Sequence, residues 1–165
     1  MDANEVAARA WDLRVNMTRV ALSILHHSAD AEDAVADAML NAYRKAEGLR
    51  NEEKVNAWLM RIVVNSCYTI LRKRGREVPA EDMSEYDTPV LEGMEGSIFE
   101  SIQQLPENYQ KVLVLHYYEG FKAREIARIL SMPLGTVVGQ LARGRSKLKT
   151  ILEMEGVVHG DEQAI

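Results

Sequence analysis

One cysteine, four histidines and no long apolar run set the first limits on this 165-residue chain. A lone cysteine, Cys67, excludes an internal disulfide and suits a reducing compartment. No stretch approaches the roughly 18 apolar residues of a membrane-spanning helix. The first residues carry acids where a signal peptide carries bases. A cytoplasmic protein without membrane insertion is therefore expected. His26 and His27 are adjacent rather than one helical turn apart, and His116 and His159 stand isolated. With no zinc or triad spacing, neither a metal, a cofactor nor an enzymatic activity is expected. Gly/Ser-rich and prion-like tracts are also missing, while a hydrophobic fraction of 47% is enough to build cores.

The net charge of −5 argues against a nucleic-acid partner only until its distribution is read. Residues 1–60 sum to −3, whereas Arg61, Arg72, Lys73, Arg74 and Arg76 stand together without an acid. Residues 77–110 hold nine acids and no base, and residues 121–150 sum to +6. Two basic blocks thus flank an acidic one, and a basic footprint has to be judged locally.

Apolar spacing predicts helix throughout the first block. One long helix is expected from Asn4 to His27, with Val6, Ala10, Leu13, Met17, Val20, Ala21, Ile24 and Leu25 on one side. A second starts at Asp30-Ala31-Glu32-Asp33, capped by Asp30 or Ser28. It turns Val35, Met39, Leu40 and Tyr43 inward and ends near Gly48. After a polar connection, Leu49 to Asn56, a third helix carries Trp58, Leu59, Ile62, Val63, Cys67, Ile70 and Leu71 into Arg72–Arg76. Cys67 reads as a small core residue and Trp58 as part of the apolar stripe. Residues 77–96, with two prolines and many acids, read as a linker. Helix resumes at Ser97, and Leu105-Pro106-Glu107 opens a new one, with Pro106 in its first turn, that ends at Gly120.

Beyond it, Ile126, Ala127, Ile129 and Leu130 recur at helical spacing, Ser131-Met132-Pro133 interrupts, and a second helical segment carries Arg and Lys. Two short helices around a tight turn read as a helix-turn-helix. Winding residues 136–151 at about 100° per residue puts Val137, Leu141, Leu148 and Leu152 inward. Arg143 then points outward, with Thr136, Gln140 and Lys147 on one flank. Arg143 and Gln140 have the chemistry to read base edges, while Arg145, Lys147 and Lys149 suit phosphates. The expected fold is all-α: two small helical domains, residues 1–76 and 97–155, with an acidic linker between them, a helix-turn-helix in the second and a tail over 156–165.

Together these segments resemble a bacterial RNA polymerase sigma factor of the sigma-70 family, extracytoplasmic-function type. Asp30-Ala31-Glu32-Asp33 resembles the family's acidic core-binding segment. Trp58-Leu59-x-Arg61-Ile62-x-x-Asn65 resembles its promoter-melting helix. Leu105-Pro106, Tyr118-Glu119-Gly120, Glu125-Ile126-Ala127 and Gly135-Thr136-Val137 match the second domain. The resemblance implies that Asp30, Asp33, Asp37 and Met39 face core RNA polymerase. It also implies that Arg61, Asn65, Arg72, Lys73, Arg74 and Arg76 hold the melted non-template strand of the minus-ten element. Arg124, Thr136, Gln140, Arg143, Arg145 and Lys147 would grip the duplex minus-thirty-five element. The loop Leu49–Asn56 becomes the candidate pocket for a flipped base, and an anti-sigma factor is the usual partner of the family.

The chain departs from the family pattern at Ala36, Met39 and Thr69, where Gln, Phe and Asp are common. A common Val-Lys-Ser-Arg-Leu-His-Arg-Ala-Arg appears as Val137-Val138-Gly139-Gln140-Leu141-Ala142-Arg143-Gly144-Arg145. Gly139 and Gly144 each cost roughly 1 kcal/mol of helix stability against Ala. Two alternatives follow: a free-standing helix-turn-helix regulator, which leaves the Asp30–Arg76 constellation without purpose, and a degenerate sigma-like module acting by protein interaction.

Overall fold

Helix is the regular structure of the described residues, 1–77 and 97–156 of the computed structural model, in which the side chains of Arg76 and Glu77 are not described. The expected linker, apart from its first residue, and nearly all of the expected tail lie outside the described residues. The described residues fall into two compact units, one over residues 1–77 with 128–130 and the other over 97–127 and 131–156. Among the described residues, no helix is long and apolar enough to cross a membrane.

In the first unit, α1 (Ala3–Asp12) begins with a capping box: the Asp2 carboxylate accepts from the Glu5 amide at 2.9 Å, and Glu5 accepts from the Asp2 amide at 2.8 Å. The single helix expected over residues 4–27 is broken at Leu13, and α2 (Arg14–Leu25) follows. The break has a packing reason. α1 lies against α3 (Ser28–Arg44), whereas α2 packs against both α3 and α4 (Val55–Glu77) and buries every residue from Arg19 to Leu25. A straight rod cannot meet both demands.

His26, in the left-handed region at φ 55°, ends α2, and His27 opens α3 (Ser28–Arg44). The N-cap of α3 is His27, not Asp30 or Ser28: its Nδ1 accepts from the Asp30 amide at 3.3 Å. The two histidines therefore form a helix joint. α3 buries Ala31, Ala34, Val35, Ala38 and Ala42. Small side chains on that face let three neighbouring helices approach. The large ones fall on the opposite face, so Leu40 and Tyr43 are 55% and 50% exposed rather than inward. The helix stops at Arg44, before Gly48, which sits in a single 3-10 turn, Ala46–Gly48. A second such turn, Glu52–Lys54, leads into α4 (Val55–Glu77), whose core side carries Leu59, Met60, Val63, Val64 and Cys67. Leu71, expected inward, is exposed.

In the second unit, α5 (Ile98–Ile102) and α6 (Glu107–Leu113) meet at a joint that Gln110 staples. Its buried Nε2 donates to the carbonyls of Gln103 at 3.1 Å and Leu105 at 2.8 Å. Pro106 occupies the N-cap of α6. α6 runs into a π-helical turn, Val114–Tyr118, closed by an amide–carbonyl bond from Glu119 to Val114 at 3.2 Å. Gly120, at φ 76°, ends it. α7 (Ala123–Leu130) starts with Glu125 accepting from the Lys122 amide at 3.1 Å. Ser131, at φ 54°, makes the turn, and Pro133 caps α8 (Leu134–Met154), which packs on α5 and α6 through Val137, Leu141, Leu148 and Leu152. The C-terminal end of α8 is tied to α5 by Glu155, which accepts from Ser101 at 2.9 Å and from Gln104 at 2.8 Å.

Candidate nucleic-acid interface

With Leu59, Met60, Val63, Val64 and Cys67 committed to the core, α4 has one long outward stripe. Arg61, Asn65 and Arg72 are exposed along it, at spacings of four and seven residues that keep them on one face. Thr69 stabilises this stripe. Its hydroxyl donates to the Asn65 carbonyl at 3.0 Å and accepts from Arg72 Nη2 at 3.1 Å. A threonine at this position thus holds the arginine through a neutral acceptor, with no carboxylate to offset its charge. Half-buried Tyr68 falls on the same face between Asn65 and Arg72, a position the apolar-stripe reading passed over. Lys73 is exposed, whereas half-buried Arg74 is ion-paired with Asp30. Cys67 is buried and unreactive: removal from water pushes its thiol up to about 12.

The four residues expected to face polymerase separate into two pairs. Asp33 and Asp37 are exposed on α3, on the face that also presents Leu40 and Tyr43. Asp30 is turned toward Arg74 and lies 3.6 Å from His27 Nδ1. Met39 is half-buried against the cluster of Val6, Ala10, Ala42, Ala46, Val55 and Leu59, so it offers little surface.

On α8, Thr136, Arg143, Arg145 and Lys147 are exposed, as is Arg124 on α7. Gln140 is not on the outward flank. It is only 9% exposed, because the buried arc, centred on Val137, Leu141 and Leu148, is wide enough to take in its edge. Aromatic groups of α6 and its π turn hold two of the cations. Arg145 Nε donates to Tyr117 Oη at 2.5 Å, and Lys147 Nζ lies 5.8 Å from the Tyr109 ring centroid.

The two unusual glycines also find reasons here. A Cβ on Gly139 would meet Arg143 Nη1 at 3.0 Å, so the guanidinium rests back over bare backbone one turn earlier. A Cβ on Gly144 would stand 3.2 Å from both Leu113 Cδ1 and Tyr109 Cβ. Gly144 lies where α8 crosses α6 closely.

Sigma-70 region 2 matches residues 13–77, and sigma-70 region 4 matches residues 96–148. The extracytoplasmic-function sigma-E factor of Haemophilus influenzae is 30% identical, over 75% of this chain and 75% of its own length. The chain belongs to the extracytoplasmic-function sigma factors. RNA polymerase sigma-H factor of Pseudomonas aeruginosa is 28% identical, over 88% of this chain and 87% of the relative. Among solved structures, the sigma factor RpoE of Bartonella quintana, crystallised with the anti-sigma factor NepR, superposes with a TM-score of 0.71. It is 25% identical and covers 88% of this chain and 96% of its own. The protein is an alternative sigma factor, which directs RNA polymerase to promoter DNA and initiates transcription. Such factors are regulators of initiation rather than enzymes. Among the described residues, no group of three His, Cys, Asp or Glu is arranged to hold a metal.

In this sigma factor the region 2 match ends at the basic end of α4, and the region 4 match takes in the outward cations of α8. The residues that sequence spacing missed are Tyr68, Tyr109 and Tyr117, each an aromatic beside a cation face. Of these, Tyr68 carried a signal in the sequence: it lies three residues after Asn65 and four before Arg72.

Proposed function

We propose that three surfaces of this sigma factor do separate work. The acid-and-apolar face of α3, with Asp33, Asp37, Leu40 and Tyr43, docks on a basic side of core polymerase: the carboxylates steer and the two large side chains supply buried area. The stripe Arg61, Asn65, Tyr68, Arg72 on α4, with Lys73 and the Arg76 end, takes the melted non-template strand of the minus-ten element. Cations follow the backbone there, and a tyrosine offers a stacking surface. The loop Leu49–Asn56 receives a flipped base. On α8, Arg143 reads a groove edge of the minus-thirty-five duplex, while Thr136, Arg145, Lys147 and, from α7, Arg124 contact phosphates. Gln140 reads nothing without first leaving its buried position. In this scheme residues 1–76 and 97–155 are the two working domains, 77–96 connects them and 156–165 is a tail. The protein works in the cytoplasm, and an anti-sigma factor covers the polymerase-facing surface in the resting cell.

The observation that carries the scheme is the outward face of α3, where Leu40 and Tyr43 are half-exposed beside two carboxylates. Run-off transcription with purified core polymerase tests it. Asp37→Lys with Leu40→Ser should lose core binding while circular dichroism stays unchanged. Asn65→Ala should slow promoter opening, and Arg143→Ala should weaken use of the upstream element. Absence of core binding by the unaltered chain would sink the scheme. Core binding without initiation would favour the degenerate module, a reading that the burial of Gln140 supports for duplex contacts.

A further inference from the structure

The loop between α3 and α4 has little to hold it in shape by itself. Its two 3-10 turns contribute a Gly48–Lys45 amide–carbonyl bond of 2.8 Å, one from Leu49 to Ala46 of 3.1 Å, and one from Lys54 to Asn51 of 3.0 Å, and Asn51 Oδ1 accepts from the Glu53 amide at 3.0 Å. Arg50, Asn51, Glu52, Glu53 and Lys54 are all exposed. What fixes it comes from α1. Ala46 and Val55, at the loop's two ends, are buried in one cluster with Val6 and Ala10, and Leu49 packs on the same cluster.

Two polar ties reinforce this packing. Arg9 Nη1 donates to Asn56 Oδ1 at 3.2 Å, and the Met1 amine pairs with Glu52. A cleft of about 430 Å³, lined by Met1, Glu5, Arg9, Glu52 and Glu53, separates α1 from the middle of the loop, whose ends α1 holds by packing. The region 2 match begins at residue 13, which leaves α1 outside it.

From this arrangement we infer that α1 is a positioning element for recognition of the melted strand, with Arg9 setting the entry of the loop into α4 through Asn56. The inference rests on the assignment of Leu49–Asn56 as the base-receiving loop. A loop packed down at both ends, with exposed side chains between them and a single tie at Glu52, suits a site that must admit one base and reject others. Losing the tie frees Asn56 at the loop's exit without touching the α3 face or α8, so specificity should change while assembly does not.

The test uses the full chain with core polymerase on a template library randomised across the melted element, with transcripts sequenced. Arg9→Ala should bind core as the unaltered protein does. It should flatten base preference at one or two adjacent positions by about threefold to tenfold, the worth of one net hydrogen bond. Arg9→Lys, which can still donate to Asn56, should restore most of the preference. In the free protein, Arg9→Ala should speed amide exchange over Gly48–Lys54. A uniform loss of transcription with unchanged base ranking, or unchanged exchange, overturns the inference. Arg50→Ala, at an exposed side chain of the loop, separates the two layers. If it alters the base profile and Arg9→Ala does not, α1 has no positioning role. If neither alters it, the loop is not the reader and the inference falls with that assignment.

Discussion

The two glycines of α8 should respond to alanine in different ways, and the difference can be worked from the structure. Alanine gains about 1 kcal/mol over glycine in a helix interior. At Gly139 the new methyl meets only the guanidinium end of Arg143, at 3.0 Å, and that end can swing away. Gly139→Ala should therefore stabilise by about 1 kcal/mol. At Gly144 the methyl meets Leu113 Cδ1 and Tyr109 Cβ, both at 3.2 Å. The leucine tip can rotate, but Tyr109 Cβ is fixed to the α6 backbone, so the helices must part by a few tenths of an ångström. Overpacking of this kind costs about 1–3 kcal/mol, which cancels or exceeds the helical gain. The two variants should thus differ by about 1–3 kcal/mol in the same helix. Because the two units need not unfold together, the assay is hydrogen exchange resolved to the α8 amides, supported by urea midpoints of the full chain. A Gly144→Ala protein as stable as Gly139→Ala, or more so, would refute the close-crossing argument. Gly139→Ala should also dislodge Arg143, so its use of the upstream promoter element should change although its stability rises.

Three further outcomes are expected. Cys67, with its thiol pushed up to about 12 by burial, should resist alkylation at pH 8 until the protein is unfolded. Its folded value lies above the unfolded one of 9.0, so this contribution is complete below pH 9 and is lost toward pH 12. The loss is about 1.4 kcal/mol per pH unit, and Cys67→Ala should flatten the alkaline limb of a stability profile. Gln110→Ala removes a buried donor shared by two carbonyls, and should cost about 1–3 kcal/mol in exchange protection of α5 and α6. Asp30→Asn takes the counter-ion from Arg74, and should raise the affinity of the free protein for a single-stranded oligonucleotide at low salt, read by fluorescence anisotropy. Unchanged affinity would remove Arg74 from the DNA path.

The all-α class, the helix-turn-helix and the inward row Val137, Leu141, Leu148, Leu152 were legible because helical period and a proline at the turn are local signals. The break at Leu13 was not, since no glycine or proline marks it. It arises because α1 and α2 serve different neighbours. The orientation of α3 was misread for a related reason. Periodicity selected its large apolar residues as the core side, but four alanines are buried there because adjacent helices come close. Gln140 shows the limit of a helical wheel: an angle of position does not say how wide the buried arc is. The cations of α4 and α8 were legible as charge, whereas Tyr117 beneath Arg145 depends on a π turn, which no local pattern announced.

The outward orientation of Leu40 and Tyr43 carries weight for function. Had Leu40 and Tyr43 been core residues, the acids beside them would need no more than a helix-dipole role, since carboxylates near an N-terminus stabilise a helix unaided. With both side chains half-exposed, the fold draws only part of their burial, and the remainder is apolar surface left in water. Asp37 also lies beyond the first turn of α3, where the dipole has faded. Apolar groups flanked by outward acids are what a partner with a basic, partly apolar surface needs: charge to guide the encounter and area to hold it. α8 instead presents cations over aromatics, which suits a phosphate backbone; its side carrying Val137, Leu141, Leu148 and Leu152 is buried, while Leu134, Val138 and Met154 stand exposed. Under the proposed scheme the two units therefore divide their work by surface chemistry, the first presenting an acid-and-apolar face beside a cation stripe, and the second cations over aromatics.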